Sequence, residues 1–300
     1  MKTGDSENNI FGRTLNPHRL ALTAGGSSGG EGALVALRGS LLGVGTDIAG
    51  SVRIPAQCDG TYGFKPSSAR IPYGGQTTPS RAGSPGFLPS AGPLTNSFRD
   101  MELFCRAVIS AQPQNVDSSC LGIPWRDVPT KERLVIGVLG EDPSLPLHPP
   151  VSRACSSAVS KLTAAGHNVK FLKNTPPLSA ASRLSFAYFS LDSRNTRIQH
   201  ILCSGEPRVN SVKNTAPQYP GRIPTVDQLY DMNVERANLI AEWDKIYLDN
   251  ELDAIVGPGA TSTAVPHDTW GPPGYTMLWN LLDVRQNALG MVDTADIRAC

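Results

Sequence analysis

The stretch Leu41-Leu42-Gly43-Val44-Gly45-Thr46-Asp47-Ile48-Ala49-Gly50-Ser51-Val52-Arg53-Ile54-Pro55-Ala56 orders a strand, a turn and a helix start around one serine. Leu41, Leu42 and Val44 read as a short apolar strand. Ile48 to Ser51 turn, and Val52 to Ala56 can open a helix. A second serine, Ser27, stands 24 residues earlier, inside Gly25-Gly26-Ser27-Ser28-Gly29-Gly30. Glycines let the backbone pass close to a ligand and take positive φ without steric cost. Successive N–H groups in such turns converge on an anion, and a helix start adds its positive dipole end. A hydroxyl held among free N–H donors suits acyl transfer, in which an oxyanion develops. Two such turns in one chain suggest a serine hydrolase whose general base is not histidine.

Working outward, Gly32-Ala33-Leu34-Val35-Ala36-Leu37 is a small, apolar run that buries as a core helix, with Gly39 near its end. Ser27 then lies just before a helix N-terminus. Other readings compete. A glycine-serine run also suits a flexible linker or a phosphate-binding turn, and a serine at a helix start is often only a cap. A P-loop is excluded because no Gly-Lys-Ser/Thr follows. A G-x-S-x-G elbow is excluded because Ser51 reads Gly-Ser-Val-Arg-Ile.

The two turns together resemble the core signature of the amidase signature family, in its fungal acetamidase-like and fatty acid amide hydrolase-like branch. The similarity extends to Asn8-Asn9-Ile10-Phe11-Gly12-Arg13-Thr14-Leu15-Asn16-Pro17 before the signature. Beyond it lie Arg70 to Gly75, Pro89 to Leu94 and His267-Asp268-Thr269-Trp270. The resemblance implies amide hydrolysis through a Ser–cis-Ser–Lys acyl-enzyme mechanism. Ser51 matches the nucleophile. Ser27 matches the proton relay, preceded by a cis peptide bond at Gly26–Ser27. Ile48, Ala49, Gly50 and Ser51 match the backbone donors around the oxyanion, with Ala49 where many members have glycine. Met1 matches a methionine beside the substrate. Asp47, Arg53 and Ser28 match residues that support the loops.

The family's lysine lies several dozen residues before the glycine-serine turn, whereas 24 residues precede Gly25 here. Lys2 does not match its position, and Lys65 matches a different structural marker. The catalytic lysine is therefore expected to be missing. Residues 1–283 are expected to form a partial amidase signature domain, and residues 284–300 an atypical C-terminal tail. The alternative is a catalytically inactive pseudoenzyme or truncated gene product with at most a binding role.

Composition adds exclusions. The net charge is +1 over 300 residues, without basic blocks, so nothing points to nucleic acid. The six cysteines are widely spread and form no C-x-x-C pair, which favours reduced thiols and a cytoplasmic protein. No apolar run is long enough to span a membrane. The expected partner is a small-molecule amide; a homodimer is compatible with the sequence. No cofactor or metal is implied. His267-Asp268 reads as a loop marker rather than part of a histidine-based triad.

The fold class expected is α/β, a twisted mixed β-sheet covered by helices and incomplete at both ends. Pro66 to Pro93 reads as ordered loop rather than strand. Ser97 to Asp100 resembles a capping box that opens a helix through Ala111. Leu134 to Leu139, a helix from Val151 stopping at Gly166, and Val169 to Leu172 form a β-α-β unit with parallel pairing. A helix is expected around Arg183 to Asp192, followed by a proline-rich loop. Thr225 to Gln228 is a second capping box, opening a long amphipathic helix. Leu252 to Val256 reads as a strand, and apolar residues from Trp270 to Leu282 could line an acyl pocket or pack the core.

Overall fold

The computed structural model describes residues 4–84, 86–213 and 224–283. Met1 and residues 284–300, for which the sequence carried expectations, lie outside them.

The chain opens with a small hairpin of β1 (Glu7–Asn8) and β2 (Gly12–Arg13). Helix α1 (Gly29–Ala36) follows the glycine-serine turn, and strand β3 (Leu42–Asp47) leads through the Ser51 turn into α2 (Arg53–Asp59). Two further strands, β4 (Tyr62–Gly63) and β5 (Ser90–Thr95), complete an antiparallel sheet of order β3-β5-β4. Val35, Val52, Ala56 and Leu94 interlock α1, α2 and β5 in a small, fully buried cluster. Removing a valine or leucine side chain of this kind from water contributes roughly 1.5–3 kcal/mol. Helix α3 (Phe98–Ser110) begins where Ser97 Oγ accepts the Asp100 N–H at 3.1 Å.

A second sheet is parallel. Strand β6 (Val135–Val138), α4 (Pro149–Ala164) and β7 (Asn168–Phe171) form the expected crossover unit, and Gly166 leaves α4 with φ 88°. Three helices follow: α5 (Leu178–Phe189), α6 (Thr196–Cys203) and α7 (Asn210–Lys213). Helix α8 (Val226–Asp249) carries the complete Thr225/Gln228 capping box, and β8 (Ala254–Val256) pairs parallel with β6. Helix α9 (Gly274–Leu282) ends the described chain. The main core lies where α5, α8 and α9 meet, around Leu184, Trp243, Leu278 and Leu281. Trp243 and Trp279 pack edge to face at 5.3 Å.

The mixed α/β class holds, with antiparallel and parallel pairing carried by separate three-stranded sheets among the described residues. Two local expectations are corrected. Ser90 to Pro93 is strand, not loop: β5 pairs with β3 from Leu42↔Thr95 to Asp47↔Ser90. Pro93 supplies no N–H to the ladder, but it lies past the end of the two-residue β4, whose pairing stops at Gly63↔Leu94, and its carbonyl accepts the Phe64 N–H at 3.1 Å. The proline-rich loop after α5 contains α6 and α7. Helix α6 has apolar Ile198, Ile201 and Leu202 at helical spacing, but at eight residues the pattern is too short to stand out from the surrounding polar segment, and none of its residues is fully buried.

Candidate active site

Strand β3 delivers Asp47 to the head of the Ser51 turn, fully buried. Asp47 Oδ1 accepts the Gly50 N–H at 2.8 Å and Arg53 Nη2 at 2.9 Å. Its Oδ2 accepts the Val52 N–H at 3.1 Å and Arg53 Nε at 3.0 Å. Burial opposes the charge on Asp47, but the Arg53 guanidinium and these hydrogen bonds outweigh it and hold the carboxyl well below the usual carboxylate range. Arg53 Nη1 and Nη2 also reach the Thr276 carbonyl at 3.0 Å and Asn280 Oδ1 at 2.5 Å. The Thr276 hydroxyl donates to the Ala49 carbonyl at 2.7 Å. The Ser51 turn is thus bolted from below by a buried ion pair and from the side by α9. Gly50 has φ 122°, and a Cβ there would overlap the Thr276 hydroxyl, so only glycine fits.

The Gly26–Ser27 peptide is cis. Gly25 precedes it at φ 77°, where a Cβ would come within 2.8 Å of the Pro55 backbone. The Ser6 hydroxyl lies between the Gly25 and Ser27 carbonyls, at 3.1 and 3.0 Å, and accepts the Gly29 N–H at 3.0 Å. The two serine turns touch directly, because the Ser28 N–H donates to the Ser51 carbonyl at 3.1 Å. Ser28 supports the arrangement again when its Oγ accepts the Thr46 N–H at 3.3 Å. Neither the Ser27 nor the Ser51 hydroxyl has a hydrogen-bond partner among the described residues, and neither bonds the other.

Ser51 and Gly26 open onto a cavity of about 200 Å³. Its walls include Ile48, Ile54, Phe186, Phe189, Trp270 and Met277, with Ser80, Asp192, Asn195 and Arg197 forming a polar sector. The N–H groups of Ile48, Ala49 and Ser51 carry no hydrogen bond among the described residues, whereas that of Gly50 is taken by Asp47. Ala49 keeps negative φ, so its side chain causes no strain in place of glycine.

Lys65 is buried and its amine is lowered to about 8, by burial first and by Arg53 second, against opposition from Asp47 and Asp283. Its Nζ bonds the Pro66 carbonyl at 3.1 Å, and it bonds neither serine. His267 is engaged elsewhere: Nδ1 lies 2.9 Å from Asp5 Oδ1 and Nε2 lies 3.2 Å from the Leu20 carbonyl. Asp268 pairs with Arg13 at 2.9 Å. The His267-Asp268 pair therefore fastens the N-terminal segment to the loop before α9. No group of three or more histidine, cysteine or acidic side chains that could hold a metal occurs among the described residues.

The sequence reading missed Ser6, Thr276, Asn280, Phe186, Phe189 and the polar sector. Thr276 and Asn280 had a signal: two polar residues four apart in an otherwise apolar helix face something that needs them. The others had none, since they reach the site through packing from distant segments.

These elements define a mixed α/β protein with paired serine turns, one entered through a cis peptide, over a largely apolar cavity. The chain belongs to the amidase family, whose model, described as Amidase, matches residues 1–298. An amidase of Gibberella moniliformis is 39% identical over 282 residues, covering 93% of this chain and 53% of that protein. An acetamidase of Aspergillus oryzae is 34% identical over 307 residues, with the same 93% and 53% coverage. A solved structure of fatty acid amide hydrolase superposes with TM-score 0.88 at 33% identity, covering 93% of this chain and 50% of that one. The chain thus spans about half the length of the curated relatives it matches. No helix among the described residues is long and apolar enough to cross a membrane.

Proposed function

We propose that this chain carries the nucleophile, relay and oxyanion site of an amide hydrolase. Ser51 attacks the amide carbonyl, and its proton passes to Ser27. The oxyanion is received by the N–H groups of Ile48, Ala49 and Ser51, while Gly50 uses its own N–H to hold Asp47. The Ser27 hydroxyl passes the proton on to a base and, through it, to the departing amine. Water then cleaves the acyl-enzyme with the same groups in reverse. No metal or cofactor is required. The carrying observation is the direct junction of the two serine turns at the cavity, through the Ser28 N–H and the Ser51 carbonyl.

Met1 keeps its proposed place beside the substrate on the resemblance alone. A linear small-molecule amide is the substrate proposed, in keeping with the names of the amidase and acetamidase relatives. A cytoplasmic location is supported by five cysteines that are unpaired among the described residues. Homodimerisation remains compatible with this reading. The second reading, a chain inactive by itself, is favoured by one observation: no lysine among the described residues bonds Ser27. The relay lacks its base there, and acid–base help of this kind is worth about 10²–10⁴-fold.

The test is covalent labelling by an alkyl fluorophosphonate, with mapping of the modified peptide. Labelling is expected at Ser51, abolished in Ser51→Ala and strongly slowed in Ser27→Ala. Labelling that survives Ser51→Ala and disappears in Ser27→Ala would reverse the two roles. Amide turnover by the purified chain that is abolished in Ser51→Ala would set aside the reading of a chain inactive by itself.

A further inference from the structure

The polar sector of the cavity is not neutral. Asp192 sits between α5 and α6, and its carboxylate is fully committed. Its Oδ2 accepts the Thr196 N–H at 2.8 Å and the Arg81 N–H at 3.2 Å, and its Oδ1 accepts the Arg194 N–H at 3.2 Å. This carboxylate organises the start of α6 and ties it to the loop around Ser80. Arg197 lies in the first turn of α6 and lines the cavity, half-buried. It makes no hydrogen bond or ion pair with any described residue. The side chains of Asn195 and Ser80, on the same sector, also lack partners among the described residues. Arg81 and Arg194 are exposed beside it, bound to Asp192 only through their backbone. The Asp192 carboxylate is thus occupied by backbone N–H groups, and Arg197 forms no ion pair with it.

A guanidinium presents a planar fork that matches a carboxylate in two parallel hydrogen bonds. Apolar walls such as Phe186 and Phe189 lower the local dielectric and strengthen that pairing. An all-alkyl ligand would cover Arg197 without giving it a partner, which costs free energy. We infer that the cavity takes amides whose end away from the scissile carbonyl carries a carboxylate, received by Arg197 with Asn195 and Ser80 beside it. The inference rests on the reading that this cavity holds the substrate of Ser51.

Equilibrium binding separates the two claims. Calorimetric titration of the Ser51→Ala chain compares the monoamide of adipic acid with hexanamide, a neutral amide of equal carbon number. The carboxylated amide is expected to bind about tenfold tighter or more, as a charge-assisted pair supplies. Arg197→Gln is expected to remove that advantage, weakening the carboxylated amide while hexanamide, relieved of a covered unpaired charge, binds no worse than to the parent cavity, and Arg197→Lys to restore part of it. Circular dichroism melts establish that each variant is folded. Equal or tighter binding of hexanamide, a preference that survives Arg197→Gln, or failure of both ligands to bind overturns the inference. Ser51 labelling without any carboxylate preference sinks this inference alone. Carboxylate-selective binding without Ser51 labelling sinks the nucleophile assignment and leaves the anion subsite standing.

Discussion

Asp59 closes α2 with its side chain fully buried. One carboxyl oxygen receives Asn16 Nδ2 at 3.3 Å, and the other has no partner among the described residues. Burial raises the acid to about 9, so the folded protein keeps it protonated at neutral pH. In the unfolded chain the same group ionises near ~3.9. Between those values the unfolded chain has released a proton that the folded protein retains. Stability from this group is therefore complete below the lower value and falls as pH rises towards the upper one. Asp59→Asn removes the titration. Its melting temperature is expected to match or trail that of the wild type near pH 4, then gain on it steadily towards pH 8. Parallel melting profiles for the two proteins across that range would remove the argument. Nothing in the sequence marked Asp59, because its burial depends on Gly32 of α1 coming close to the carboxyl, where a Cβ would overlap Asp59 Oδ2. The turns around Ser51, Ser27 and Asp47 were legible for the opposite reason. Their geometry depends on a few residues, whose glycines and carboxylate stand next to one another in the chain.

Helix α8 shows what is legible at the scale of an element. Thr225 Oγ1 accepts the Gln228 N–H at 3.2 Å, and Gln228 Oε1 accepts the Thr225 N–H at 2.9 Å. Both bonds are local, so a four-residue pattern announced the helix start. Thr225→Ala is expected to destabilise the protein by about 1 kcal/mol through the lost cap. Trp243→Ala, inside the same helix and 2% exposed, should cost about 3–5 kcal/mol. Chemical denaturation of both variants checks the ranking, and an equal loss from the two would contradict it. The parallel β6-α4-β7 unit was legible on the same grounds, since its apolar runs and the Gly166 stop are contiguous. Strand β5 was not. Its Ser-Ala-Gly-Pro start has the composition of a loop, and only pairing with β3 and β4 makes it a strand. Gly92 explains part of that composition, because a Cβ there would overlap the Phe64 carbonyl. Helices α6 and α7 are too short, at eight and four residues, for their patterns to stand out, yet α6 supplies Arg197, a cation lining the cavity that is unpaired among the described residues.

At the scale of the whole molecule, the surface is not uniformly suited to water. Leu37 is 65% exposed, Leu41 85% and Val44 49%, all on the end of α1 and the adjoining β3 segment. Helix α1 and β3 are joined there by Glu31, whose carboxylate accepts the Val44 N–H at 3.1 Å. Strand β3 is also an outer strand of its sheet, with β5 as its neighbour on one side. The outward N–H groups of Val44 and Thr46 are taken by Glu31 and Ser28, so what this edge offers is its exposed apolar side chains, which favour association through side-chain contact. The net charge of +1 supplies almost no repulsion to oppose it. Residues 1–300 expressed alone are therefore expected to self-associate at micromolar concentration and to bind a hydrophobic dye. Leu41→Lys combined with Val44→Lys places two charges on that edge without touching the buried cluster of Val35, Val52, Ala56 and Leu94. The double variant should shift the light-scattering mass towards the monomer and lower dye binding, with the melting temperature little changed. If instead the unmodified chain is monomeric and dye-silent at tens of micromolar, this face is stable in water and the attribution to β3 is wrong. If association persists unchanged in the double variant, another surface drives it.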